Sequence, residues 1–511
     1  MTIETRCLSW RTGRVIGRPI RTPSLWETQA MKRRMSFELL LLLGAALAFV
    51  EGVHQVAVAD DPNARLPRLF LIVAPERFHA ALVPYVNFKK QIRPTTLVSL
   101  EKVLESSSGV DDPERLKRFL YDAWRNRRLG YVLLVGDVDV MPVRYIVLDR
   151  IDPAAFDYAF YPSDLYYADL AKANQAFDDW NGSKQGIHAQ YFGEIHGEKN
   201  KRGPINFDQI DYRPEIAVGR WPASTVEQVS TIASKSMEYE QSVREGTHPG
   251  LRRAEIFHVG GWVDLREPLS GLVRHLPSGW RANKYLFDDQ QRQYGTSAPD
   301  EPHVIDALNR GAGLFVHVGH GCDHALRGCL DKKNLPEINN GDRLPVMISV
   351  SCGSGIFAPL PPYDPYVDIY GNEHAGTDHK QELFHAPPPP PSPYQTGKYN
   401  RSGIGEELIK QSANGAVVYI GCNTGAQPCA YSLLEGFLLA LEKSQRPLVG
   451  DCWARAIRYY YEKEHLAKLV PTDTWYPPST FFQGMKFMFF GDPTLPMASP
   501  TRWVPGSVSR R

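Results

Sequence analysis

No charge of one sign prevails in this sequence. Lys and Arg total 58 against 57 Asp and Glu, which excludes a nucleic-acid binder held by bulk charge. Cysteine is sparse, 7 in 511 residues, too few for a disulfide scaffold. No C-x-x-C pair occurs, so a zinc ribbon is a poor reading. Beyond residue 60 no stretch is long and apolar enough to span a bilayer, and no internal repeat is visible. What is present is ordinary for a globular protein: 43% apolar and 23% charged residues. The 24 Tyr, 22 Phe and 10 Trp can fill a large core, and Gly (41) with Pro (40) predicts many loops. The length allows roughly two to four domains.

One segment differs from the rest. Lys32-Arg33-Arg34 precede a run from Phe37 to Val50 that is apolar except for Glu38, and Ala57-Val58-Ala59 follow. A basic stretch, an apolar stretch and an A-x-A site come in the order of a secretory signal. The run is shorter than the roughly 20 residues of a membrane span. The expected leader is 1–59, with cleavage after Ala59; Met31 is a second candidate start. Without it the chain has 50 basic and 53 acidic residues, a net charge of −3. Six cysteines then remain, Cys322, Cys329, Cys352, Cys422, Cys429 and Cys452, all in the second half. If one is a working thiol, at most two bridges can form among the others.

From Arg68 onward, short apolar runs alternate with helical stretches. Leu69–Ala74 and Tyr131–Val135 read as buried strands, Glu76–Gln91 and Asp112–Arg127 as helices. A strand at Glu215–Arg220 and a long helix at Ala223–Glu245 follow an irregular stretch, 150–212. The rhythm restarts at Ile256–Val259 and runs through strands at Gly313–Val318, Val346–Val350 and Val417–Ile420. Helices fit Gly405–Ser412, Tyr431–Ser444 and Val449–Glu464. Continuous apolar strands between helices imply an α/β fold with a parallel sheet. Two α/β subdomains, 60–221 and 222–498, with a tail at 499–511, are the simplest account. Residues 359–400 carry the run Pro387–Pro391, read as an extended surface insertion.

Two strand ends carry the candidate chemistry. One strand closes on Gly319-His320-Gly321-Cys322 and another on Ser351-Cys352-Gly353-Ser354-Gly355. If the strands are parallel neighbours, His320 and Cys352 share a carboxyl edge, where open α/β sheets present ligand sites. An imidazole beside a thiol can take its proton and make it a nucleophile. Gly321 and Gly353 allow close backbone approach, and N–H groups there could hold an oxyanion.

Gly319-His320-Gly321 followed by Cys352 at a strand end resembles the dyad of gingipain-type cysteine peptidases, a family with a caspase-like fold. Tyr131–Asp137 with Pro142, Ser163–Tyr167, Pro214–Arg220 and Phe490–Leu495 are similar to further blocks of that family. The similarity covers roughly 68–497. It implies a caspase-like three-layer α/β sandwich and a secreted cysteine endopeptidase acting on polypeptides. Cys352 would be the nucleophile, His320 the proton-transfer residue, and the backbone N–H groups of Gly321 and Cys352 the oxyanion hole. No cofactor is required for the chemistry. A third, orienting carboxylate could be Glu255, Asp264 or Asp306. Cys322 is a competing thiol, expected instead to pack or to pair with Cys329, Cys422 or Cys429.

Related peptidases carry calcium near a loop like 177–186, which makes Asp178, Asp179 and Asn181 candidate ligands for a structural calcium. Asp364, Asp368, Glu373, His374, Asp378, His379 and His385 form a second oxygen- and nitrogen-rich group, in the 359–400 insertion. The chain departs from the best-known gingipains in three ways. It lacks room for a large prodomain, it ends soon after Phe-Gly-Asp-Pro, and it carries the insertion directly after the nucleophile strand. That insertion is expected to shape the substrate cleft, so no Arg or Lys preference is carried over. Two other function classes compete. One is a non-hydrolytic peptidase-like binding module of the cell envelope, which would bind a partner without turnover. The other is a sortase-like transpeptidase, which would ligate added amines.

Overall fold

The computed structural model describes residues 67–147, 160–180, 205, 210, 212–260, 263–287, 299–361, 364–376, 391–396, 399–470, 472 and 476–498. The leader, the tail, Asn181, Asp378, His379 and His385 lie outside them.

One ten-stranded sheet organises these residues. Its strands are β1 (Leu69–Ala74), β2 (Thr95–Ser99), β3 (Leu129–Val135), β4 (Ala217–Trp221), β5 (Arg253–His258), β6 (Arg281–Leu286), β7 (Leu314–Val318), β8 (Val346–Val350), β9 (Val418–Cys422) and β10 (Phe487–Phe490). In space they follow the order β2-β1-β3-β4-β10-β9-β8-β7-β5-β6. Every pairing is parallel except β9 with β10. The sheet therefore consists of two parallel halves of opposite direction. β10 runs with the first half, touching β4 through Phe490 and Arg220. The carboxyl ends of the two halves consequently lie on opposite edges.

The central strands read as unbroken apolar runs because both of their faces are covered. Leu69, Leu71 and Val73 of β1 join one buried cluster, and Phe70, Ile72 and Ala74 join the other. Helices α1 (His79–Lys90), α3 (Val226–Glu245), α4 (Glu301–Arg310) and α5 (Ile404–Lys410) contribute to the second cluster; α2 (Asp112–Arg127), α6 (Tyr431–Lys443) and α7 (Val449–Lys463) contribute to the first. This is the expected helix–sheet–helix layering. Local chemistry sets the helix ends. Asp111 and Asp300 accept N–H groups at the starts of α2 and α4, and a Thr225/Gln228 capping box opens α3, which Gly246 closes at φ 75°. The edge strand β6 escaped the sequence reading. Its outer residues alternate between exposed and half-buried, so it lacks the apolar run that reveals its neighbours.

The described parts of the 359–400 insertion pack on the first half of the molecule. Val143 N–H donates to the Pro393 carbonyl, Gln395 N–H to the Val138 carbonyl, and Phe160 N–H to the Pro361 carbonyl. Asp368 accepts from the Tyr370 and Asn372 amides and pairs with His374 at 2.8 Å, closing its own turn.

Candidate active site

The neighbouring strands β7 and β8 place the two predicted side chains. Val318 lies opposite Val350 in the parallel register, and Gly319 N–H donates to the Val350 carbonyl at 3.2 Å. Two residues on, His320 and Cys352 stand at one level beyond the same sheet edge. Both line a solvent-open cleft of about 500 Å³, with His258, Val263, Leu265, Val350, Ala426 and Pro428 among its other walls. None of its described lining residues comes from the 359–400 insertion or carries a carboxylate.

His320 is exposed and Cys352 half-buried. No hydrogen bond joins them among the described residues; the Cys352 sulfur faces the Ala426 carbonyl at 3.7 Å. Burial pushes the Cys352 thiol above its ordinary range, which favours a protonated resting sulfur. The backbone around it is tightly specified. A Cβ on Gly321 would lie 2.4 Å from Ser351 Oγ and 2.8 Å from the Cys352 carbonyl. Gly353 holds φ 61° against Cys322, a conformation glycine adopts without strain.

The N–H groups divide clearly. Gly353 N–H is taken by the Thr424 carbonyl at 2.7 Å, so it cannot serve an oxyanion, contrary to the first reading of the two glycines. Gly321 opens a short hairpin, opposite Leu326. The His320 carbonyl accepts from Arg327 N–H one step earlier. Antiparallel pairs alternate in hydrogen bonding, so Gly321 occupies a non-bonded step and its N–H points away from the hairpin. No backbone carbonyl among the described residues accepts from Cys352 N–H.

The three candidate orienting carboxylates are engaged by other partners. Asp264 forms a pair with Arg266 at 2.7 Å, whose hydrogen bonds hold it down to about 2. Glu255 accepts from the Asn283 amide at 2.9 Å, and Asp306 pairs with Arg310. None bonds His320. Sequence reasoning missed a polar chain beneath the edge. His317 Nδ1 meets Ser349 Oγ at 3.0 Å, and Ser349 Oγ meets Ser351 Oγ at 2.8 Å. It also missed His258, whose Nε2 accepts from Leu265 N–H while Nδ1 donates to the Val318 carbonyl. A histidine inside an apolar strand carries no sequence signal beyond its polarity. His317 sat inside the motif reading without a role.

All six described cysteines are free. Cys322 packs instead of pairing, with its sulfur 3.6 Å from His324 Nδ1. Of the three calcium candidates, Asp178 and Asp179 fall within the described residues. Asp178 is buried, accepts Trp180 N–H, and lies in the field of the buried Lys117 ammonium, which sits over the Tyr166 and Trp180 rings. A protein cation already supplies the opposite charge there. Asp179 is next in sequence, and Asn181 is outside the described residues.

The remaining motifs of the resemblance supply two buried polar clusters. Arg220 makes a two-pronged pair with Asp164, 2.7 Å at each prong, and donates to the Gly136, Met141 and Pro142 carbonyls. Asp492 is paired with Lys89 at 2.7 Å and also accepts from Tyr85 and Thr494. Among the described residues, no helix is long and apolar enough to cross a membrane.

Comparison with known proteins agrees with this architecture. The crystal structure of the Arg-specific cysteine proteinase gingipain R (RgpB) is 17% identical, with a TM-score of 0.53 over 84% of this chain and 78% of that one. The complex of Porphyromonas gingivalis RgpB pro- and mature domains gives 17% identity and 0.53 over 84% and 79%. A structure described only as a protease gives 16% and 0.52 over 85% and 79%. These likenesses establish the fold. No curated protein matches the chain. The model of peptidase family C25 matches residues 64–498, and the chain therefore belongs to peptidase family C25, a family of cysteine peptidases.

Proposed function

We propose that this protein is a secreted cysteine endopeptidase with Cys352 as nucleophile and His320 as proton-transfer residue. The observation that carries the reading is their shared cleft: of the six free cysteines only Cys352 lines it, and His320 closes it from the adjacent strand end. Cys322 touches a different imidazole, outside the lining.

In this reading the substrate carbonyl enters between sulfur and ring. The thiol proton passes to His320 as sulfur attacks the carbonyl carbon. The tetrahedral oxygen, now negative, accepts from the Gly321 and Cys352 N–H groups. His320 returns the proton to the leaving amine, and water then hydrolyses the thioester and restores the thiol. The missing resting contact between sulfur and imidazole fits a dyad that tightens only around substrate. No cofactor enters any step.

The described cleft walls are apolar or neutral, with Val263, Leu265, Val350, Ala426 and Pro428 beside His258, whose imidazole burial pushes below its ordinary range. An Arg or Lys side chain would be desolvated there without a counter-charge. The reading is therefore cleavage after an uncharged, apolar residue, unlike the Arg specificity named for the solved relative. Secretion rests on the basic–apolar–A-x-A leader.

The test is digestion of a mixed peptide library under reducing conditions, with cleavage sites read by mass spectrometry. Cleavage after apolar residues, lost in Cys352→Ala and His320→Ala, is expected. Undiminished cleavage by Cys352→Ala would sink the proposal.

A further inference from the structure

The hairpin that carries Gly321 turns through Cys322-Asp323-His324. Cys322 Sγ is 3.6 Å from His324 Nδ1 and 3.7 Å from Nε2, and His324 Nδ1 is 2.8 Å from Asp323 Oδ1. One ligand atom from each residue falls within 4.8 Å of the others. We propose that this turn binds a zinc-class divalent ion through the Cys322 sulfur, a His324 ring nitrogen and the Asp323 carboxylate. Its role would be regulatory, distinct from the dyad.

The spacing fits the chemistry. Tetrahedral zinc, with bonds of about 2.3 Å to sulfur and about 2.0 Å to nitrogen or oxygen, sets ligand–ligand edges of about 3.5 Å and about 3.3 Å. The sulfur–nitrogen distance already matches. The carboxylate oxygen, 2.8 Å from the ring nitrogen, has to swing outward to reach its tetrahedral edge, and it belongs to a partly exposed side chain. The backbone of the turn is pinned from two sides: Ile404 N–H donates to the Asp323 carbonyl at 2.7 Å and Lys332 N–H to the His324 carbonyl at 2.9 Å. Sulfur, nitrogen and oxygen together suit zinc, cobalt(II) or cadmium and not calcium or magnesium. The thiol proton leaves to solvent on binding. Cys322 is buried while His324 is exposed, so the ion would be held at its base and open to water on its outer side, where a fourth ligand exchanges.

The position gives the ion a consequence. Cys322 Cα lies 3.2 Å from where a Gly353 Cβ would be, and Gly321 precedes it directly. The exchangeable fourth position of an ion bound beside Gly321 would draw the substrate oxygen away from the N–H that the catalytic reading assigns to the oxyanion. This second part rests on that reading; metal binding itself does not.

Cobalt(II) titration of the Cys352→Ala protein separates the two. A thiolate-to-cobalt charge-transfer band saturating at one ion per chain is expected, because the nucleophile is not a ligand. His324→Ala and Asp323→Asn, exposed or half-exposed positions that leave the core intact, should each weaken binding at least tenfold, and Cys322→Ser should abolish the band. Absence of the band in Cys352→Ala, or its survival in Cys322→Ser with unweakened binding in His324→Ala, overturns the site. In the otherwise unaltered protein, zinc should inhibit hydrolysis reversibly by chelator, and His324→Ala should relieve that inhibition. Metal binding without inhibition keeps the site and removes its regulatory role.

Discussion

Where β3 and β4 end, the molecule closes its sheet with buried charge; where β7 and β8 end, it leaves a cleft. At the first edge Asp137 pairs with Lys410 at 3.0 Å, Lys410 pairs with Glu406 at 2.8 Å, and Arg220 ties Asp164 to three loop carbonyls. The described parts of the proline-rich insertion are laid over the same edge. At the second edge, among the described residues, no ion pair spans the strand ends, small residues bring backbones together, and an exposed imidazole stands near a half-buried thiol. Both edges are carboxyl ends of parallel strands, the position where such sheets present ligand sites. Opposite strand direction in the two halves puts them on opposite sides of the molecule, so one can be sealed for stability while the other stays open. Strand topology offers a site twice, and among the described residues the thiol and imidazole line a cleft at one of the two.

The contrast can be broken at the open edge first. Cys352→Ala is expected to abolish peptide hydrolysis, and His320→Ala to lower kcat/KM by about 10²–10⁴-fold. Neither should move the thermal midpoint, so activity assays and melting curves together check the assignment. A large loss of stability in Cys352→Ala would mean that this edge, too, is structural.

At the sealed edge the signs reverse. Arg220→Met leaves Asp164 buried without its partner and should cost about 3–5 kcal/mol in urea unfolding. The double variant Arg220→Met with Asp164→Leu should recover much of that, since a buried pair replaced as a whole is often near neutral. If the single variant keeps its stability but loses turnover, the two edges are coupled in function.

Gly321→Ala sharpens the boundary between them. Its methyl would press on Ser351 Oγ, a contact that must shift. We expect about 1–3 kcal/mol of overpacking cost, with kcat falling by about 10²-fold through the displaced N–H. Proportional losses in KM alone would argue against an oxyanion role.

The remaining test is in acid. Burial drives His317 down to about 3, below the ordinary imidazole value near 6.5. Between those values the unfolded chain takes up a proton that the folded chain refuses. Stability therefore falls as pH drops from about 6.5 toward about 3, by at most about 1.4 kcal/mol per pH unit. Urea midpoints at pH 7, 5 and 4 should show a shallower fall in His317→Gln. An unchanged slope would place the acid sensitivity in other groups.

Much of the fold is legible because parallel strands covered on both faces leave uninterrupted apolar runs. Leu69–Ala74, Tyr131–Val135, Leu314–Val318 and Val346–Val350 announce themselves this way. The edge strand Arg281–Leu286 does not, because half of its surface faces water. The family motifs were also legible, but not their purpose. Asp164, Arg220 and Asp492 stand in those motifs with no role the sequence assigns, and they prove to be partners in buried ion pairs. The insertion after Cys352 was expected at the cleft by its place in the chain. Its described residues instead pack on the opposite half.

The sequence by itself determined which residues could do chemistry and that they end buried strands, because hydrophobic periodicity and glycine-rich strand ends are local properties. Only the tertiary structure decided that β7 and β8 are neighbours, that the described parts of the insertion pack on the opposite half, and that Gly353 N–H is already spent. Those facts depend on contacts between residues far apart in the chain, and no local pattern encodes which distant carbonyl an amide will meet.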